Sequence, residues 1–193
     1  MTIYLVGISC VGKTTIGKML ADRIDFTFFD LDQEIQNYFK KPIERIQDEC
    51  FTMTEYIEKA SIVLDNLLSK NMDSVISGTP SGLKFSYLQV YKKHKVNKEL
   101  YSIFINDSLE NILDRLTFYD KDSNPITEEL SEPKKMRYLK MIKADYNYFK
   151  DSYKRADIEI DIENIRLKDI PFEIVEELKR NGIMQTTDNS QSL

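Results

Sequence analysis

Residues 3–15 read Ile3-Tyr4-Leu5-Val6-Gly7-Ile8-Ser9-Cys10-Val11-Gly12-Lys13-Thr14-Thr15. The first four form a short apolar run that stops at a glycine, the pattern of a strand buried on both faces. The next eight match G-x-x-x-x-G-K-[ST] without a departure. In that motif the glycines let the backbone turn sharply and approach an anion closely. Successive amide N–H groups point inward at the phosphates, and the following helix presents its positive end to the same place. Ile16, Met19, Leu20 and Ile24 recur at helical spacing, so that helix starts inside the motif. Strand, loop and helix together predict a cradle for a nucleotide triphosphate. Its binding residues are Gly7, Ile8, Ser9, Cys10, Val11, Gly12, Lys13, Thr14 and Thr15. Lys13 supplies a mobile charge for the β- and γ-phosphates, and the Thr14 hydroxyl is a hard oxygen ligand for Mg²⁺. ATP and Mg²⁺ are the expected cofactors.

Outward from the cradle, apolar patterning alternates between strand and helix. Residues 26–29 make a second strand, closed by Asp30-Leu31-Asp32 and followed by a helix that turns Ile35 and Tyr38 inward. Ile57, Ala60, Leu64, Leu67 and Leu68 form one stripe of a helix over 54–69. Residues 74–77 are a third strand, and Gly78-Thr79-Pro80-Ser81-Gly82 is a loop by composition. A fourth strand covers 101–105. Asp107 or Ser108 then caps a helix carrying Leu109, Ile112, Leu113 and Leu116. Residues 117–133 are polar and read as a mobile flap. Leu139, Ile142, Tyr146, Phe149 and Tyr153 lie on one face of a long helix. Residues 158–162 form a fifth strand, 170–179 a closing helix, and 182–193 a polar, disordered tail. Such alternation predicts a parallel sheet covered on both faces, with right-handed crossovers and with ligands at the carboxyl ends of its strands.

At 193 residues the chain suits one α/β domain, expected over 1–181. With 41% apolar and 31% charged residues it reads as globular rather than disordered. A net charge of −5 without a basic face argues against nucleic acid, whereas a local nest of donors holds a triphosphate despite an acidic total. Two cysteines, Cys10 and Cys50, make no disulfide framework, and Cys10 lies in the cradle, so a reducing cytoplasm is expected. The N-terminus reads as a strand and not as a signal peptide, and no apolar run of about 18 residues predicts a membrane span. The expected assembly is a monomer or weak homodimer.

Phe29-Asp30-Leu31-Asp32 sets two carboxylates at a strand end. In extended backbone, residues two apart point the same way, so both can face the transferring phosphate. One can orient Mg²⁺ or its waters, and the other can accept the proton of an attacking hydroxyl. The plainer alternative makes Asp32 a helix N-cap.

The order of phosphate loop, helix, Phe28-x-Asp30-x-Asp32-x-x-Ile35 and a helix with Ile43 and Glu44 resembles shikimate kinase and its nearest relatives among small-molecule kinases. The resemblance is specific over about the first 60 residues and topological to about residue 162. It implies a three-layer α/β/α fold of the nucleoside-monophosphate-kinase and shikimate-kinase type, with a five-stranded parallel sheet, an acceptor-binding helical segment and a lid over ATP. By that resemblance Thr14 and Asp30 serve the metal, Asp32 is catalytic on the acceptor hydroxyl, and Arg115 lies by the adenine; Lys13 is catalytic through the charge it brings to the transferring phosphate. The alternative for Arg115 is a favourable charge at a helix C-terminus.

The acceptor half of the pattern departs from the family. Shikimate kinases grip the acceptor carboxylate with arginines, but no arginine stands between Arg45 and Arg115, and none near Tyr148 or Phe149. The glycine triplet after the third strand is replaced by Gly78-Thr79-Pro80-Ser81-Gly82. A planar carboxylate is best held by a guanidinium fork. The expected acceptor is therefore another hydroxylated small molecule, in a pocket that includes Asp32, Glu55, Tyr56, Ser77, Thr79 and Ser81. The alternatives are true shikimate kinase activity with rearranged contacts, and a nucleotide-binding regulatory module. His94 reads as a solvated surface residue at a hydrophilic helix end, the basic run 92–98 as a solvated connection, Cys50 as a small buried residue, and Tyr138, Tyr146 and Tyr153 as packing residues.

Overall fold

The computed structural model describes residues 1–116, the short strands Phe118–Tyr119 and Pro125–Ile126, and residues 130–185. Five parallel strands make the central sheet: β1 (Thr2–Val6), β2 (Thr27–Asp30), β3 (Ser74–Ser77), β4 (Leu100–Asn106) and, after the pair β5 (Phe118–Tyr119) and β6 (Pro125–Ile126), β7 (Ile158–Asp161). Their order is β2-β3-β1-β4-β7. All five residues of β1 are buried, as a central strand covered on both faces requires.

The helices are α1 (Lys13–Ile24), α2 (Leu31–Phe39), α3 (Ile43–Asp48), α4 (Met53–Ser69), α5 (Ser86–Lys95), α6 (Leu109–Asp114), α7 (Glu132–Tyr153) and α8 (Ile170–Arg180). In α1 the buried positions are Lys13, Ile16, Gly17, Leu20 and Ala21, one face of a helix against the sheet. The chain reverses its spatial direction beside β1, whose neighbours are β3 and β4, and that switch point is where a parallel sheet opens a crevice. The register Asp30↔Ser77 and Leu5↔Ser77 brings the ends of β2, β3 and β1 level there.

Several sequence expectations change. Tyr38 is 52% exposed and packs edge-on against Phe39 instead of facing the core. The first part of the run 92–98 is no connection but the end of α5, the helix end expected around His94, in which only Tyr87 and Tyr91 are buried. His94 is no solvated side chain: its ring accepts or donates a 2.6 Å hydrogen bond with Asp65 of α4. Cys50 is half-buried, its thiol donating to the Ile46 carbonyl. Ser108, not Asp107, caps α6 through its hydroxyl. The expected flap loses its last residues to α7, where Pro133 starts the helix well because no intrahelical donor is needed there. β5 and β6 pair antiparallel within it, and 117, 120–124 and 127–129 lie outside the described residues. The first residues of the expected tail, 182–185, are ordered. The amides of Ile183 and Met184 reach the Leu178 carbonyl and both side chains pack on the core, while 186–193 lie outside the described residues. Among the described residues, no helix is long and apolar enough to cross a membrane.

Candidate active site

The cradle follows directly from β1. Gly7 stands where an added Cβ would meet the Ile105 carbonyl oxygen at 2.7 Å, so a side chain there would push β1 from β4. Gly12 precedes α1 with φ 104°, and no side chain caps the helix or places an acid in its first turn. The first amides of α1 are thereby left for an anion. Lys13 is 7% exposed and donates to the Gly7 and Ile8 carbonyls, both at 2.8 Å. Burial lowers its ammonium pKa to about 8, and the nearby Asp32 opposes that shift.

Of the predicted nucleotide residues, Ser9, Cys10, Gly12, Lys13, Thr14 and Thr15 line a cleft of about 630 Å³. Ile8 and Val11 are buried beneath the loop and act through their carbonyls. Arg115 borders the same cleft. Its guanidinium donates to the Val11 carbonyl at 2.9 Å and pairs with Asp107, whose side chain is wholly buried. It anchors the loop as well as flanking it, at the C-cap of α6.

The two aspartates divide their work. Asp30 is the N-cap of α2, its Oδ1 accepting from the amides of Asp32 and Gln33, which corrects the alternative that gave this cap to Asp32. Its Oδ2 accepts from the Thr14 hydroxyl at 2.6 Å, and Ser77 Oγ lies 3.4 Å from that hydroxyl. Asp32 is left without a capping role. Burial raises its pKa to about 6; the Asp30 charge adds to this and Lys13 opposes it.

Asp32 also borders a second cavity of about 530 Å³. Tyr56, Thr79 and Ser81 line it, together with Ser9 and Gln47. Burial, and then the Asp32 charge, push the Tyr56 hydroxyl well above its ordinary pKa. Glu55 does not line the cavity. It begins α4, where its carboxylate accepts from the Phe51 amide at 2.9 Å and pairs with Lys59, a capping arrangement that turns it outward. Ser77 faces the phosphate cleft instead. Sequence reasoning missed the wall built by Asp145, Tyr148 and Phe149 of α7. Their i, i+3, i+4 spacing was a usable signal, but Phe149 had been assigned to the core stripe. α7 is fastened there by its end: Tyr153 donates to the Pro80 carbonyl at 2.7 Å and Ser152 to that of Ser81 at 3.1 Å.

A triphosphate cradle at the switch point of a parallel sheet, joined through one carboxylate to a pocket of sugar size, defines a P-loop small-molecule kinase. The chain belongs to the shikimate kinase family, whose model matches residues 9–179. It is 33% identical over 178 residues to a shikimate kinase of Persephonella marina, covering 91% of this chain and 95% of that one. A Flavobacterium psychrophilum shikimate kinase is 27% identical over 181 residues, with 92% and 96% covered. Among solved structures, shikimate kinase from Acinetobacter baumannii in complex with shikimate superposes with TM-score 0.73 at 20% identity, covering 95% of each chain. A gluconokinase from Sinorhizobium meliloti gives 0.63 at 17% identity, covering 93% of this chain and 92% of that one. At these identities the structural likeness is one of fold. The chain is an ATP-dependent kinase that phosphorylates a hydroxyl of a small molecule.

Proposed function

We propose that this kinase holds Mg²⁺-ATP in the cradle and phosphorylates, in the cavity beside Asp32, a hydroxylated compound other than shikimate. The carrying observation is that Asp32 borders both spaces. A carboxylate in that position accepts a hydrogen bond from the acceptor hydroxyl and then its proton. As the oxygen–phosphorus bond to the acceptor forms, the bond from the γ-phosphorus to the β–γ bridging oxygen breaks, and ADP leaves. Lys13 exchanges its loop carbonyls for phosphate oxygens and stabilises the charge spread over them.

The residues present fit Mg²⁺. Thr14 and Asp30 offer adjacent hard oxygens, and among the described residues no cluster of three or more metal-ligating side chains competes as an all-protein cage. That suits an ion held by one or two side chains plus phosphates and water. Bound there, Mg²⁺ would neutralise phosphate charge.

Shikimate is the second reading, favoured by the names of the relatives and opposed by the missing arginines. A coupled ADP-release assay with shikimate, polyols and sugar acids decides between them. Turnover of a non-shikimate alcohol is expected; robust turnover of shikimate at micromolar KM overturns the acceptor assignment. A cytoplasmic monomer or weak homodimer completes the proposal, supported by the scarcity of cysteine and checked by sedimentation.

A further inference from the structure

We infer that the acceptor is a hydroxylated amine, an amino alcohol or amino sugar, whose ammonium group is held by Asp145 against the rings of Tyr148 and Phe149. This rests on the reading that the cavity beside Asp32 is the acceptor site.

The charge of the cavity wall is one-sided. Among the described residues, Asp32 and Asp145 are the only charged ones that line it, and no arginine or lysine does. Asp32 is engaged with the transferring group. Asp145 stands on α7, and no cation of the chain pairs with it among the described residues. The neighbouring cations do not reach it: Lys84 lies on one face of the Tyr148 ring and donates to the Tyr148 carbonyl at 3.4 Å, and Arg155 donates to that of Leu83 at 3.1 Å. An anionic acceptor would meet two carboxylates with no fork to grip it. An ammonium would meet a carboxylate and π-faces, both of which attract it.

The aromatic part of the wall already shows this chemistry. Tyr148 and Phe149 stand edge to face with centroids 4.8 Å apart. The Lys84 ammonium lies 3.2 Å from the Tyr148 centroid and 5.3 Å from that of Phe149. Tyr148 is 55% exposed, so its ring is accessible as well as cation-binding.

The remaining lining suits hydroxyl groups. Ser9, Gln47 and Ser81 are neutral donors and acceptors. Thr79 is 2% exposed, yet its hydroxyl makes no hydrogen bond of good geometry within the described residues, although the Tyr87 hydroxyl is nearby. At the cavity wall such a hydroxyl can take a ligand hydroxyl or a water as a partner. The volume of about 530 Å³ falls in the range of small-molecule sites and admits a sugar-sized compound.

The test uses three compounds on one hydroxylated ring: an aminocyclitol, the neutral cyclitol and the cyclitol carboxylate. With Mg²⁺-ATP, kcat/KM for the amine is expected to be at least about tenfold that of the neutral compound, with the carboxylate lowest. Asp145→Asn should raise KM for the amine about tenfold while kcat changes little, and should leave KM for the neutral compound in place. Asp145→Lys should invert the order. Preference for the neutral or the carboxylate compound overturns the proposal, as does an amine preference that survives Asp145→Asn. Calorimetry with the same compounds and a non-hydrolysable nucleotide separates the two readings. An amine that binds through Asp145 but is not phosphorylated sinks transfer in this cavity and leaves the ammonium site standing. An amine that does not bind sinks the ammonium site, whatever the fate of transfer.

Discussion

The Thr14 hydroxyl donates to Asp30 Oδ2 at 2.6 Å, tying the first turn of α1 to the end of β2. The other oxygen of the same carboxylate caps α2. Asparagine caps a helix about as well as aspartate, so Asp30→Asn removes the charge at the proposed Mg²⁺ position and keeps the cap. Folding stability should stay within about 0.5 kcal/mol of the parent, while kcat falls roughly 10²-fold. Asp30→Ala should lose a further ~1 kcal/mol of stability. Urea denaturation beside an ADP-release assay over a magnesium series separates the two effects, and equal stability losses in both variants would contradict them.

Arg115 links the phosphate loop to a buried acid. Asp107 is fully enclosed and also accepts from the Ser108 amide and Asn111 Nδ2, both at 2.8 Å. Removing its guanidinium leaves a buried charge with neutral partners only. Arg115→Ala should destabilise the fold by about 2–4 kcal/mol and weaken nucleotide binding as Val11 loses its donor. Combining it with Asp107→Asn should restore about half the stability, because the uncompensated charge is gone. Thermal denaturation of the four proteins measures this coupling; simple additivity would dismiss it.

Gly78 closes β3 where there is no room for a side chain. A Cβ would lie 2.7 Å from the Leu5 carbonyl oxygen and 2.8 Å from the Tyr4 ring. Neither neighbour can yield, since Leu5 and Tyr4 are fully buried in the central strand. Gly78→Ala should cost about 2–3 kcal/mol through overpacking and shift the loop that carries Thr79 and Ser81. A denaturation midpoint equal to that of the parent would refute the contact.

The phosphate half of the site was legible because it is local: a motif within a dozen residues sets strand, loop and helix together. The acceptor half is assembled from α2, α4, the loop after β3 and α7, and only part of it carries a local signature. Glu55 looked like a pocket residue by position, but its helix-starting role was the stronger local claim on it. His94 looked solvated because its partner Asp65 lies 29 residues earlier on another helix. The start of α5 carries no local signal, because Phe85, ahead of it, has φ 49° and offers no side-chain cap. The departure that mattered most, the loss of arginine around the acceptor, was legible as composition. That Asp145, Tyr148 and Phe149 line the cavity beside Asp32 required the fold.

The pH profile should carry two limbs of opposite sign. Asp32 must be ionised to accept a proton, and burial raises its pKa to about 6, so kcat/KM falls as the pH drops through 6. Lys13 must be charged to meet the phosphates, and burial lowers its pKa in the empty loop to about 8, so kcat/KM for ATP falls as the pH rises through 8. Saturating ATP should move the alkaline limb upward, because phosphate charge favours the ammonium. Rates at low and saturating ATP across pH 5–10 check both limbs; an alkaline limb that ignores ATP would remove Lys13 from it.

Asp32 should weaken the fold it serves. Its folded-state pKa of about 6 lies above the ordinary 3.8, so the native state holds the proton more tightly than the unfolded chain. Between those two values the folded protein binds more protons, and stability declines as pH rises, with the full cost present above about 6. A shift of this size corresponds to roughly 2–3 kcal/mol. Asp32→Asn removes the buried charge and should recover much of that above pH 7, raising Tm by several degrees for a chain of this length. At pH 4 the advantage should vanish, since the parent carboxyl is then protonated in the folded state. The same variant should still bind ATP and lose transfer, for an amide cannot accept the hydroxyl proton. Scanning calorimetry at pH 4 and pH 8 tests the sign: an Asn variant less stable than the parent at pH 8 would mean that the carboxylate is stabilised by its surroundings, and would remove the strain on which its role as a base depends.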